Sequence, residues 1–323
     1  MFTFVIRTLF MLLAALCAVH AQDYPNKSIT IIVPFAAGGP TDTLARNLGV
    51  TLTNSLKQQV VIDNSGGAGG TIGINKVAKA KPDGYTLLLM HIGMATAPAL
   101  YRKLPYDTMN DFEFIGQVAD VPMTMLGKKA LPPNNLKELL PYIKANKDKL
   151  NYGNAGIGAA SHLCGLLFMS QIEADLNTVS YKGTAPAMVD LMGGQIDLMC
   201  DQTTNTTQQI KANTVKVYGV TSAQRIASIR DIPTLAEQGL KGFEVVVWHG
   251  FYAPKGTPKP IVDRLVAALQ AAVQDAGFKS RLAELGAEPV PLAKANPENL
   301  RAHLQSEISK WDPIIKKAGI YAD

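Results

Sequence analysis

Residues Ile29–Arg46 read ITIIVPFAAGGPTDTLAR. The β-branched run from Ile29 to Val33 has strand character. It ends at Pro34 and the Gly38-Gly39 pair, and Thr41-Asp42 then opens a helix that runs to about Leu56. A strand that passes through a glycine turn into a helix is the repeating unit of a parallel α/β sheet. The same turn leaves helix N–H groups free at the carboxyl end of the strand, where they can hold an anion. Asp42 at the helix start is read as a cap that complements the helix dipole rather than as a catalytic acid.

The pattern repeats along the chain. The strand-like QVVIDN is followed by the loop SGGAGGTIG and a helix through Val77, and YTLLLM forms a third strand. Near Phe112 two successive strands are predicted, FEFIGQVA and PMTMLG. A second alternating set then begins, with YGNAGIGAASHL again joining a strand to a helix, and three helical stretches close the chain. Extended segments near Val118–Thr124 and Val245–Trp248 predict that the chain crosses twice between two α/β lobes, with residues 22–120 and 247–323 in one lobe and 121–246 in the other. Ligands of such lobes sit at the carboxyl ends of the strands.

The whole chain sets further bounds. It has 323 residues and a formal charge of +5, with Lys and Arg scattered, which argues against a nucleic-acid binder. Residues 1–21 combine Arg7, an apolar run and small residues at Val19 and Ala21, the pattern of a cleaved export signal. Cys17 is read as part of this signal, because Leu16 before it is too large for a lipoprotein anchor site. Beyond the signal, Cys164 and Cys200 either pair in an oxidising compartment or pack as small apolar side chains; both readings stand.

The three small-residue loops carry the candidate chemistry. None matches a nucleotide motif: GGPTD lacks the lysine of a phosphate-binding loop, and neither GAGGTIG nor GNAGIG is GxGxxG. No nucleophile elbow is present, Ser161 and His162 are adjacent and so face apart on a helix, and the histidines lack metal-ligand spacing. No enzyme activity, metal or cofactor is expected. Met90, His91, Ile92 and Met94 end the third strand and either line an apolar pocket wide enough for a ring or fill the core; both readings stand. Phe35 and Trp248 are further aromatic candidates, while Tyr181 and Asp201 end strands of the second lobe.

Taken together, YPNKSITIIVPFAAGGPTDTLAR, VVIDNSGGAGGTIG, KPDGYTLLL, VSYKGTAPAMVDLMGGQIDLM and FYAPKGTPKPIVDRL resemble the extracytoplasmic receptors of tripartite tricarboxylate transporters, the Bug family. The resemblance covers about Tyr24 to the C-terminus. It implies a two-lobed periplasmic binding protein of type II-like fold, each lobe a mixed sheet flanked by helices with the ligand cleft between them. It also implies a small carboxylate ligand, a monomer, and delivery to a two-component membrane permease. The family's loops fall on Phe35, Ala36, Gly39 and Thr41, on His91 and Met94, on Gly156, Gly158, Ala159, Ala160 and Ser161, on Tyr181 and Thr184, and on Asp201. The chain departs from the family at Met90–Met94, which favours a larger, flatter ligand and a resemblance to the terephthalate receptor. Aliphatic di- or tricarboxylates, amino acids, a sensor-coupled role and an exported hydrolase are the alternatives.

Overall fold

The computed structural model describes residues 24–319, 321 and 322, so the export signal assigned to residues 1–21 lies outside the described residues. One curled sheet organises the chain. β1 (Ile29–Val33) pairs in parallel with β2 (Val60–Asn64) on one side and β3 (Thr86–His91) on the other, with Ile31 opposite both Ile62 and Leu87. Ile29, Ile31 and Val33 are wholly buried, as the continuous apolar run of a strand covered on both faces requires. α1 (Pro40–Leu56), α2 (Thr71–Ala78) and α3 (Gly93–Leu100) follow these strands.

The predicted pair FEFIGQVA and PMTMLG is instead one strand, β4 (Phe112–Lys128), 17 residues long. Register shifts at Phe114/Gly116 and Gln117/Ala119 let it bend without ending. Its first part pairs antiparallel with β9 (Val246–Pro254), from Phe112↔Pro254 to Pro122↔Val246. From Met123 onward it pairs with β7 (Leu198–Gln202) and β8 (Val215–Val220). The two halves of the sheet therefore meet at Pro122 and Val246. The second half adds β5 (Asn151–Asn154) and β6 (Asn177–Ser180), both parallel to their neighbours. Its helices are α4 (Leu136–Asn146), α5 (Ala160–Ile172), α6 (Thr184–Met192) and α7 (Thr203–Lys211). The C-terminal part supplies α8 (Lys259–Gln274), α9 (Ala276–Glu284), the short β10 (Glu288–Pro289) against β4, and α10 (Pro297–Ala318). α8 packs on α1 and β4, and α10 packs on α3 and β4. Among the described residues no helix is long and apolar enough to cross a membrane.

Cys164 and Cys200 are joined by a disulfide that ties α5 to β7 across 36 residues of sequence. Closing a loop of this length removes chain entropy worth about 3–4 kcal/mol from the unfolded ensemble. The double variant Cys164→Ser/Cys200→Ser is accordingly expected to lose about that much stability, read as a lower urea midpoint.

Candidate functional site

Four helices begin around one cavity, and none has a side-chain cap. The residues preceding α1, α5, α6 and α7 are Gly39, Ala159, Gly183 and Gln202, and no side chain among them accepts a first-turn N–H. Of the other helices, α4, α9 and α10 are capped by Asn135, Asp275 and Asn296, which accept from Glu138, Phe278 and Asn299, while α2, α3 and α8 also have no side-chain cap. First-turn residues of the uncapped set, Pro40, Thr41, Ala160, Ser161 and Thr184, line the cavity together with Phe35, His91, Ala155, Ala159, Asp201 and Gln202. Uncapped N-termini leave N–H donors and partial positive charge directed at whatever occupies the space between them. No lysine or arginine is among the lining residues.

The cavity measures about 10 Å³, enough for roughly one water molecule. It is this small because the two halves touch. The Ala36 N–H donates to the Lys182 carbonyl (3.0 Å) and the Thr96 hydroxyl to the Gly158 carbonyl (3.0 Å), while the Tyr101 hydroxyl, which donates to the Ala68 carbonyl (2.7 Å), lies 3.3 Å from the Ile157 carbonyl. Backbones approach so closely that a β-carbon on Gly69 would lie 2.0 Å from the Ile157 carbonyl oxygen, and one on Gly183 2.8 Å from the Ala36 nitrogen. The SGGAGG loop, read from sequence as an anion loop, thus contributes no lining residue; it is a contact between the halves.

The polar side chains in the cavity are held from behind. The Ser161 hydroxyl accepts from the Ala155 N–H (2.9 Å), and the Tyr152 hydroxyl donates to the Ser161 carbonyl (2.7 Å). His91 Nδ1 accepts from the Gly93 N–H (3.1 Å), so its neutral ring carries the proton on Nε2. Complete burial, with His249 edge-on at 5.7 Å, keeps His91 well below the usual histidine range, and the ring is a neutral donor. Phe35 stacks on it at 4.7 Å. Burial raises the Asp201 carboxyl to about 6 despite hydrogen bonds from Asn205 and the Gln202 N–H. Asp42 lies outside the cavity. Burial opposes its ionisation, but hydrogen bonds from Arg46, Gly38 and Asn64 outweigh this and hold it below the usual carboxylate range. Its carboxylate accepts from the Gly38 N–H (2.9 Å) and Arg46 (2.8 Å), so it braces the β1–α1 turn.

Of the candidates named from sequence, Phe35, Thr41, His91, Ala159, Ala160, Ser161, Thr184 and Asp201 are brought together at the cavity. Ala36 and Gly39 lie in the turn behind it. The Gly156 N–H is taken by Asn154 Oδ1 (2.8 Å) and the Gly158 N–H by His162 Nδ1 (3.3 Å), so neither is free for a ligand. Met94 is fully buried in the core, and the Met90 methyl group packs near Gly70 and Gly93. Of the two readings of this stretch, core filling describes Met90 and Met94, and His91 alone of Met90–Met94 lines the cavity. The Tyr181 hydroxyl turns away to Asp190 (2.7 Å). Trp248 lies apart from the cavity, its indole donating to Glu307 (3.2 Å) with its ring edge-on to His303. Pro40 lies within the Phe35–Thr41 turn and Gln202 follows Asp201 at its strand end, both read from sequence; Ala155 was not singled out. Among the described residues no group of His, Cys, Asp and Glu side chains could hold a metal ion.

A mixed α/β chain of two halves that close on a cavity ringed by helix N-termini has the periplasmic binding protein fold. Residues 44–320 match the tripartite tricarboxylate transporter family receptor, and the chain belongs to that family. It is therefore a solute-binding receptor and not an enzyme. The periplasmic binding protein BugD is 54% identical, with a TM-score of 0.90 over 92% of this chain and 99% of its own. MatC from Rhodopseudomonas palustris, solved with bound malate, is 38% identical, with a TM-score of 0.87 over 90% and 100%. A second R. palustris protein, solved with adipate, is 34% identical, with a TM-score of 0.88 over 93% and 99%.

Proposed function

We propose that the protein captures a small dicarboxylate in the periplasm and delivers it to a two-component permease of the tripartite type. The observation that carries this is the ring of four uncapped helix N-termini around a cavity without cationic side chains. Such a ring binds carboxylates through N–H groups and helix dipoles, each N-terminus worth about 0.3–2 kcal/mol. The malate- and adipate-bound neighbours support the same class. One carboxylate meets the α5 start at Ala159–Ser161. The other meets the β1–α1 turn at Phe35–Thr41 and the His91 Nε2 proton. The lobes divide near residues 120 and 246 and open about β4 and β9, since a ligand of several heavy atoms enters only with the halves apart. The receptor acts as a monomer.

An aromatic dicarboxylate such as terephthalate is the second reading. It is favoured by the stacked Phe35–His91 pair, which offers a flat wall, but it no longer draws on Met90 or Met94. Calorimetry and thermal shift with terephthalate, its isomers, benzoate, adipate, citrate and aspartate decide between the readings. Binding to the native state alone at 100 times Kd adds about 2.7 kcal/mol of stability. A response to none of these carboxylates would sink the proposal. Within it, Ser161→Ala is expected to weaken the bound dicarboxylate by at least about tenfold. The substitution removes a cavity hydroxyl whose hydrogen bond to a charged carboxylate is worth about 1.5–3 kcal/mol; the Ala155 N–H left unpaired costs stability in the free and bound protein alike. Unchanged affinity would place the carboxylate elsewhere.

A further inference from the structure

The buried face of α7 is built of hydroxyls. The residues of this helix that are buried are Thr203, Thr204, Thr206 and Thr207. In α8, which packs within the first half, the buried residues are Leu265, Ala268, Leu269, Ala272 and Val273. A permanent helix contact gains from every methylene it removes from water, which is why its face is apolar. A threonine face gains less and needs a hydrogen-bond partner for each hydroxyl. The partners of α7 lie across the boundary between the halves. The Thr203 hydroxyl donates to the Gly286 carbonyl (2.9 Å) and the Thr207 hydroxyl to the Leu285 carbonyl (3.0 Å), while Thr204 reaches the Pro40 carbonyl at 3.4 Å. Leu285 and Gly286 follow α9, and carbonyls at a helix C-terminus have no partner within the helix. Gly286 is seated so closely on α7 that a β-carbon on it would lie 3.1 Å from that of Thr203. Thr206 alone turns inward, accepting from Thr124 of β4 (2.9 Å) in its own half. Hydroxyls and carbonyls exchange partners with water at little net cost, so this seam can part and re-form where an aliphatic one would expose apolar surface. At its start α7 reaches the cavity, which Gln202 lines.

We propose that α7 is a latch: Thr203 and Thr207 are positioning residues whose bonds to Gly286 and Leu285 form only when the halves close, and which hold the cavity end of α7 against the first half while ligand is bound. This rests on the closure reading above and names residues, beyond the ligand's own contacts, that hold the closed state. Neither threonine lines the cavity. The latch therefore strengthens the binding of every ligand by the same factor and selects none.

The test uses the double variant Thr203→Val/Thr207→Val, which keeps the β-branched shape and removes both hydroxyls, with malate and adipate as probes. Calorimetry is expected to show each probe that the unaltered protein binds held about tenfold more weakly by the double variant, and about threefold more weakly by either single one. Faster release carries the loss. Urea unfolding of the unliganded protein is expected to give the variant the same midpoint as the unaltered protein, because the latch is then undone. Thr206→Val is the converse control, with a lower midpoint and unchanged affinity. Thr207→Ser keeps the hydroxyl and is expected to bind within about twofold of the unaltered protein. Unchanged affinity in the double variant, or a lowered unliganded midpoint, makes the contact a fixed part of the fold and overturns the inference. A loss that differs between the two probes places the threonines at the ligand and overturns it as well. If the unaltered protein binds none of the wider carboxylate panel, the dicarboxylate reading falls; the unliganded midpoint then decides the latch by itself, an unchanged value keeping it and a lowered one overturning it. If the double variant does not fold, the single variants decide by the same two readouts.

Discussion

Gly69→Ala is expected to lower ligand affinity by at least about a hundredfold, equivalent to about 2.7 kcal/mol, while lowering the melting temperature of the unliganded protein no more than Gly194→Ala does. The added β-carbon would sit 2.0 Å from the Ile157 carbonyl oxygen, and Ile157 belongs to the opposing half. That oxygen is backbone and cannot swing aside, so the halves must stop short of closure. On the proposed reading, closure brings the N-termini of α1 and α5 to the same ligand, and interactions made only in the closed state are what the variant forfeits. Gly69 also has φ +61°, a left-handed conformation that strains an alanine wherever it occurs. Gly194 separates the two effects. Its φ is +79°, but nothing lies within 4 Å of its β-carbon position, so Gly194→Ala is expected to carry the backbone strain and bind normally. The chain's two tryptophans offer a second readout: Trp248 on β9 and Trp311 on α10 both donate to the Glu307 carboxylate (3.2 and 3.0 Å). A Gly69→Ala protein with unaltered affinity would show that this contact is not needed for binding.

The legible parts of the fold were those set by local chemistry. The β-branched run at Ile29–Val33, the glycine turn and the following helix could be read directly, because strand propensity and helix-start signals act over a few residues. The continuity of β4 was hidden at Asp120-Val121 before Pro122, where the pattern reads as two strands, and Gly116 inside the first gave no sign of the bend. In the structure Gly116 sits where the strand bends and Pro122 where it exchanges β9 for β7 and β8. The disulfide could not be read because Cys164 and Cys200 are placed by a helix and a strand whose packing is not local. The site divides in the same way. Loop membership brought Phe35, Thr41 and the Ala159–Ser161 start to the cavity. Which N–H groups remain free depends on partners such as His162 and Asn154, which no spacing rule marks. The two outer glycine loops and SGGAGG look alike in sequence, yet only the first and third furnish the cavity. What separates them is the contact with the other half.

Acid is expected to destabilise the protein well above the carboxylate range, by about 3 kcal/mol or more between about pH 6.5 and pH 5. The cause is three histidines held neutral by burial. His249 is wholly inaccessible and burial lowers it to about 3, the Val247 backbone opposing this without offsetting it. His162 is lowered to about 4 by burial. His91 is lowered well below 6.5, first by burial and then by His249. In the unfolded chain each titrates near 6.5. As pH falls below that value the unfolded state binds protons that the native state does not, so stability is lost at about 1.4 kcal/mol per histidine per pH unit. Because the slope builds up only as pH falls below 6.5, His249 and His162 together lose about 3 kcal/mol by pH 5, and His91 adds to the loss. Asp201 works in the opposite sense. Its native value of about 6 lies above its unfolded value of 3.8, so the native state takes up a proton first and regains about 1 kcal/mol by pH 5. Urea unfolding at intervals between about pH 7.5 and pH 5 measures the balance. A free energy that stays level across that range would mean the histidines are not buried as neutral rings. His249→Phe removes one of the three titrations, and its slope of stability against pH is expected to be shallower by about 1.4 kcal/mol per unit, whatever the substitution does to stability at neutral pH.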